Sequence, residues 1–98
     1  MRTMMRISIP VAVGNKTIQD GSLPRVIQTT LEALQPEAAY FFPEAGKRTA
    51  LLVFDLKDPS QIPVVCEPLF MGLDAEIQIL PVMNAQDLHA GLGQLARS

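Results

Sequence analysis

From Arg6 to Val13 the chain alternates with period two. Ile7, Ile9, Val11 and Val13 fall on one side, and Arg6, Ser8, Pro10 and Ala12 on the other. Such alternation predicts a half-buried strand over 6–13. Pro10, with no N–H to donate, should interrupt its ladder near the middle. Residues 14–21, with Gly14, Asn15, Lys16, Asp20 and Gly21, read as a loop. Then the spacing changes. Leu23, Val26, Ile27, Leu31 and Leu34 recur every three or four residues, which lines them along one stripe of a helix. Asp20 or Ser22 can cap that helix, Pro24 fits its first turn, and Pro36 ends it.

A hairpin is predicted next, with Ala39–Phe42 as its first strand, 43–47 as the turn around Gly46, and Arg48–Leu56 as the return. The return strand is apolar at Ala50, Leu51, Leu52, Val53 and Phe54, so both of its faces need cover. Asp58-Pro59-Ser60-Gln61 is a helix start with Asp58 or Ser60 as cap. Ile62, Val65, Cys66, Leu69, Phe70 and Leu73 follow on one helical face, with Pro68 as a kink and Gly72 near the end. Ala75–Met83 alternates again and reads as the last strand. Asn84 can cap a terminal helix bearing Leu88, Leu92 and Leu95, although Gly91 and Gly93 weaken it by about 1 kcal/mol each.

Strand, helix, strand, strand, helix, strand and a terminal helix fold most simply as one α+β domain over 1–98. The expected form is a ferredoxin-like βαββαβ antiparallel sheet with both helices on one face. The helix side then takes Ile7, Ile9, Leu52, Phe54, Ile77 and Ile79. The open side takes Ser8, Ala12, Leu51, Val53, Gln78 and Leu80, a mixture too apolar to stand in water. Either the terminal helix folds back over it or a second copy covers it. The helix is short and glycine-weakened, which favours a homodimer whose two sheets close into a dimeric α/β barrel.

Composition sharpens this picture in two ways. The hydrophobic share is 48% in only 98 residues, rich for a chain that buries roughly two-thirds of its unfolded surface. Eight Lys and Arg stand against ten Asp and Glu, with no basic stripe, no Trp and one Tyr, so neither a nucleic-acid groove nor a stacking platform is expected. Arg2 and Arg6 ahead of the apolar run to Gly14 imitate a signal peptide, but the run is short and contains Pro10; we read it as structure. No run approaches the ~20 apolar residues of a membrane span. One cysteine, Cys66, precludes an intrachain disulfide and suits a reducing, cytoplasmic compartment. The sequon at Asn15 is then a chance match.

The stretches Gly14-Asn15, Asp20-Gly21-Ser22-Leu23-Pro24, Pro36-Glu37-Ala38-Ala39-Tyr40-Phe41, Gly46-Lys47-Arg48-Thr49 and Pro81-Val82-Met83-Asn84 span nearly the whole chain. They resemble a group of small bacterial members of the dimeric α/β-barrel superfamily of ferredoxin-like domains. The resemblance implies the fold and dimerisation. That group carries no assigned activity, so it implies no catalytic residue. The wider superfamily includes muconolactone-isomerase-like enzymes, small monooxygenases and haem-binding enzymes. The histidines those proteins use have no counterpart here, because the sole histidine, His89, falls in the terminal helix.

Candidate chemistry is sparse. His89 has no partner motif and reads as a surface or interface residue. Cys66 lies within an apolar stripe and reads as a small hydrophobe. Gly46-Lys47-Arg48-Thr49 lacks the first glycine of a phosphate loop and precedes a strand rather than a helix. One His and one Cys make no zinc set, and no metal or cofactor is expected. Two polar clusters remain. Arg6, Ser8, Tyr40 and Gln78 on the open face can line the barrel mouth and meet a small ligand. There Arg6, as the first residue of its strand, should sit near Asp55 and pair with it. Asn15, Lys16, Asp20 and Arg48 gather on two neighbouring loops at the other end. The expected role is binding of a small molecule or a partner protein. The alternative is a cofactor-independent enzyme of isomerase or monooxygenase type working in the barrel interior.

Overall fold

The computed structural model describes residues 1–96. Its elements are β1 (Arg2–Ile9), α1 (Val11–Gln19), α2 (Ser22–Leu34), β2 (Ala38–Glu44), β3 (Lys47–Asp55), α3 (Gln61–Leu73), β4 (Glu76–Pro81) and α4 (Ala85–Ala96). The four strands form one antiparallel sheet in the order β2-β3-β1-β4. This is the ferredoxin-like α+β layout with a C-terminal helix, and it carries one element beyond the expected set, α1.

The first strand differs from expectation at both ends, and that extra helix sets its C-terminal one. Pro10 does not interrupt a strand. It ends one, because its carbonyl accepts from Gly14 N–H at 2.8 Å and so opens α1. Val11 and Val13 continue the alternation of β1 in sequence, but α1 buries Gly14 and Thr17, three residues apart. Thr17 Oγ1 donates to the Val13 carbonyl at 2.7 Å, which satisfies the buried hydroxyl within the helix. The segment 14–21 is therefore mostly helix, and Ala12 lies on α1 rather than on the open sheet face. At the other end the strand reaches back to Arg2. Its buried set is Thr3, Met5, Ile7 and Ile9, and Thr3 escapes an apolar pattern by donating to the Met1 carbonyl at 2.9 Å.

The remaining strands lie close to their expected positions. The hairpin turns on two residues, Ala45 (φ 53°) and Gly46 (φ 76°), tighter than the five predicted. Two left-handed residues in succession make the turn whose twist suits a two-residue hairpin. Both edge strands carry a proline, Pro43 in β2 and Pro81 in β4.

On the helix side, Met5, Ile7, Leu52, Leu69 and Leu73 are fully buried, and α2 packs against both α3 and α1. Leu23, Val26, Ile27 and Leu31 of the predicted stripe flank this core, and Leu34 lies within it. α3 begins after Ser60, with Asp58 Oδ1 accepting from Ser60 N at 2.9 Å and Ser60 Oγ at 2.6 Å. Pro63 thus falls in the first turn. Pro68 withholds an N–H from the Val64 carbonyl, on a face where both residues are exposed and water can serve instead. Cys66 is buried in the same helix; burial, with Glu67 nearby, pushes its thiol up. It packs as a hydrophobe.

Asn84 and Asp87 begin α4 with a reciprocal box: Asn84 Oδ1 accepts from Asp87 N at 2.8 Å, and Asp87 Oδ2 from Asn84 N at 3.0 Å. Beyond that box every residue from Ala85 to Leu95 is exposed, including Leu88, Leu92 and Leu95. The described chain is 57 Å in its longest dimension and 17 Å in its shortest. α4 leaves the body and does not fold over the open side of the sheet. No helix among the described residues is long and apolar enough to cross a membrane.

At the end of β3, Asp55 accepts from Lys57 Nζ at 2.8 Å and from the amine of Met1. These bonds hold its carboxyl down at about 2. An NMR titration of the carboxyl carbons should find that value, and Lys57→Ala should move it up toward the ordinary aspartate range near 3.9. Because the folded value lies below the unfolded one, the stabilisation is complete above roughly pH 4 and fades as pH falls through about 2. An ordinary titration in the parent protein would mean that these bonds do not form in solution.

Candidate functional site

The strand register sorts the open face into rows. Ala38, Val53, Met4 and Leu80 stand side by side across all four strands, an entirely apolar row. The next row is Tyr40, Leu51, Arg6 and Gln78, and the one beyond it is Phe42, Thr49, Ser8 and Glu76. All four predicted pocket residues therefore project from one face, because period-two alternation survives whatever the strand ends do.

Three of the four meet. Arg6, Ser8 and Gln78 line a depression of about 210 Å³ together with Glu44, Lys47 and Glu76. Tyr40 does not line it. Leu51 separates it from Arg6, two strand spacings or about 10 Å away. Arg6 does not pair with Asp55 either. With β1 starting at Arg2, it is Arg2 that stands opposite Asp55, while Arg6 Nη1 donates to both Glu44 oxygens at 2.6 Å. Glu44 was invisible as a partner because it lies at the end of a different strand, and only the register brings it to Arg6. The depression holds two cationic and two anionic side chains, a balance that suits a polar, uncharged ligand group.

The loop cluster divides. Asn15 and Lys16 lie on α1, Arg48 at the start of β3, and Asp20 after the end of α1. Arg48 Nη2 donates to Asn15 Oδ1 at 3.1 Å. Asp20 instead turns to α2, accepting from Ser22 N at 2.8 Å and Ser22 Oγ at 2.6 Å. Those bonds, with Lys16 and Arg25 nearby, hold its carboxyl below the ordinary aspartate range. Asp20 is thus a structural residue of the α1–α2 corner.

Sequence reasoning missed a larger cavity on the helix side. It measures about 370 Å³ and is bounded by Leu23, Pro24 and Ile27 of α2, Ile9 of β1, Phe41 of β2, and Arg48. Parity within β2 was the available signal: Ala39 faces the helices, so Phe41 must as well.

Among the described residues no three His, Cys, Asp or Glu side chains gather as a metal site, and every buried side-chain nitrogen or oxygen has a partner. His89 stands exposed on α4, away from both hollows. No protein-family model matches the chain, and no curated protein matches it.

Proposed function

We propose that the chain works as a homodimer that binds a small molecule without turning it over, the open sheet face of each copy covering that of the other. One observation carries this reading. The open face holds an unbroken apolar row, Ala38, Val53, Met4 and Leu80, with Leu51 beside it, and α4 does not cover it. A continuous apolar row left half-exposed in the single chain, with Leu80 open to solvent, suits an interface, and a two-fold pairing lets one patch satisfy itself. The resemblance to dimeric α/β-barrel domains, small bacterial ones in particular, points the same way. The polar hollow of Arg6, Ser8 and Gln78 then lies at the barrel mouth, with Tyr40 on its flank.

Binding is preferred to turnover because the charges there neutralise each other, Arg6 against Glu44, and Ser8 has Thr49 and Glu76 for cross-strand neighbours. No cofactor, nucleic acid or membrane enters this reading, and the lone buried Cys66 fits a reducing cytoplasm. Light scattering at about micromolar concentration tests the assembly. The expected mass is twice the 10.7 kDa of one chain. A monodisperse single chain overturns the proposal.

A further inference from the structure

We infer that the helix-side cavity is a binding site for a small apolar carboxylic acid, with Arg48 receiving its carboxylate. The cavity opens on the helix side of the sheet and adjoins the proposed dimer face only at Phe42 and Thr49, so each reading has its own test.

The cavity exists because β2 outruns its cover. Ala39 packs against the core, but Phe41, on the same side of the strand, remains 55% exposed. Leu23 and Ile27 bound the hollow from α2, and Ile9 and Ala50 form its floor. At about 370 Å³ it falls within the roughly 300–1,000 Å³ of small-molecule sites.

Arg48 gives the site its charge. The register sets it beside Ile9 and Pro43, at one end of the hollow. Its side chain lies over Gly14, where a Cβ would come within 2.5 Å of Nη1, so glycine is what lets the guanidinium lie there. One of its five N–H donors reaches Asn15 Oδ1 at 3.1 Å. Arg2 and Arg6 each hold a carboxylate, but among the described residues none is within ion-pair reach of Arg48. The Arg48 stem lines the hollow while its tethered, unneutralised guanidinium lies just past the rim over α1. The pair selects a molecule whose apolar body fills the hollow and whose one anionic head reaches beyond it. Its planar fork matches a carboxylate. A single positive charge balances a monoanion better than a doubly charged phosphate.

The test is a titration of the full chain followed by amide NMR, with octanoate and naphthoate as probes and octanol and naphthylmethanol as their uncharged counterparts. Saturable shifts are expected at Ile27, Phe41 and Ala50, with each acid binding about tenfold or more tighter than its alcohol. Whichever acid binds better tells whether the body is a chain or a ring. Arg48→Gln should erase the preference for acids, and Phe41→Ala should weaken all four probes severalfold. Should Arg48→Gln fail to fold, Asn15→Ala, at an exposed position, should still reduce the acid preference severalfold by freeing the guanidinium. Equal binding of acids and alcohols, shifts elsewhere, or no saturation at about millimolar probe overturns the inference. A change at the Ile27 amide with protein concentration alone also overturns it, because Ile27 lies on α2 away from the open face and its shift would seat a second copy in the hollow.

Discussion

Leu51→Lys is expected to leave the protein folded and monomeric. Leu51 sits mid-face between Tyr40 and Arg6, so a lysine there would lie beside a like charge as well as inside the proposed interface. Two-fold symmetry doubles the cost. Each buried, unpaired ammonium disfavours association by at least ~2 kcal/mol, and two raise the dissociation constant by about a thousandfold. The substitution touches none of the helix-side core, so the melting temperature of the single chain should change little. Val64→Lys, at a position already 70% exposed on α3, is the control and should leave the mass unchanged. A Leu51→Lys protein that still scatters as a dimer would place the interface elsewhere.

Leu52→Ala, one residue along, should act in the opposite compartment. Leu52 is 1% exposed and sits between Met5 and Ala39 on the helix side of the sheet. Truncating such a leucine costs about 2–5 kcal/mol, a large part of the ~5–15 kcal/mol that holds a small domain folded. Urea denaturation should show the midpoint falling sharply with little change in slope. A loss below ~1 kcal/mol would mean that the helices do not clamp the sheet at this point. Adjacent residues of one strand thus separate assembly from stability, a consequence of their pointing to opposite faces.

The same alternation makes much of the sheet legible in the sequence. Leu51 and Val53 against Leu52 and Phe54, and Gln78 against Ile77 and Ile79, were assigned to the correct faces because a buried side imposes the pattern strongly. The stripes of α2 and α3 are legible for the same reason, apart from Phe70, which the α3 spacing places on the buried face and which is 40% exposed, and so is the Asn84 cap. α1 is not. Its buried residues, Gly14 and Thr17, are too small and polar to register as an apolar stripe, while Val11 and Val13 extend the rhythm of the preceding strand. Thr3 hid the true start of β1, because a hydroxyl satisfied by a nearby carbonyl occupies a core position without looking like one. That four-residue error moved Arg6 from the end of a strand to its middle and exchanged its expected partner, Asp55, for Glu44. The helix-side hollow was harder still. It depends on how far a helix overlaps an edge strand, a tertiary quantity that no local period encodes.

The prolines at the two outer strands limit how the molecule can multiply. Pro43 and Pro81 each remove a donor from the rim of the β-layer, where a stranger's backbone would otherwise add itself. Lateral growth into ribbons is thereby discouraged, which leaves the flat side, the one the proposed pairing uses. Once two flat sides meet, neither remains free, so association by that route is self-terminating and gives a closed pair instead of a fibre.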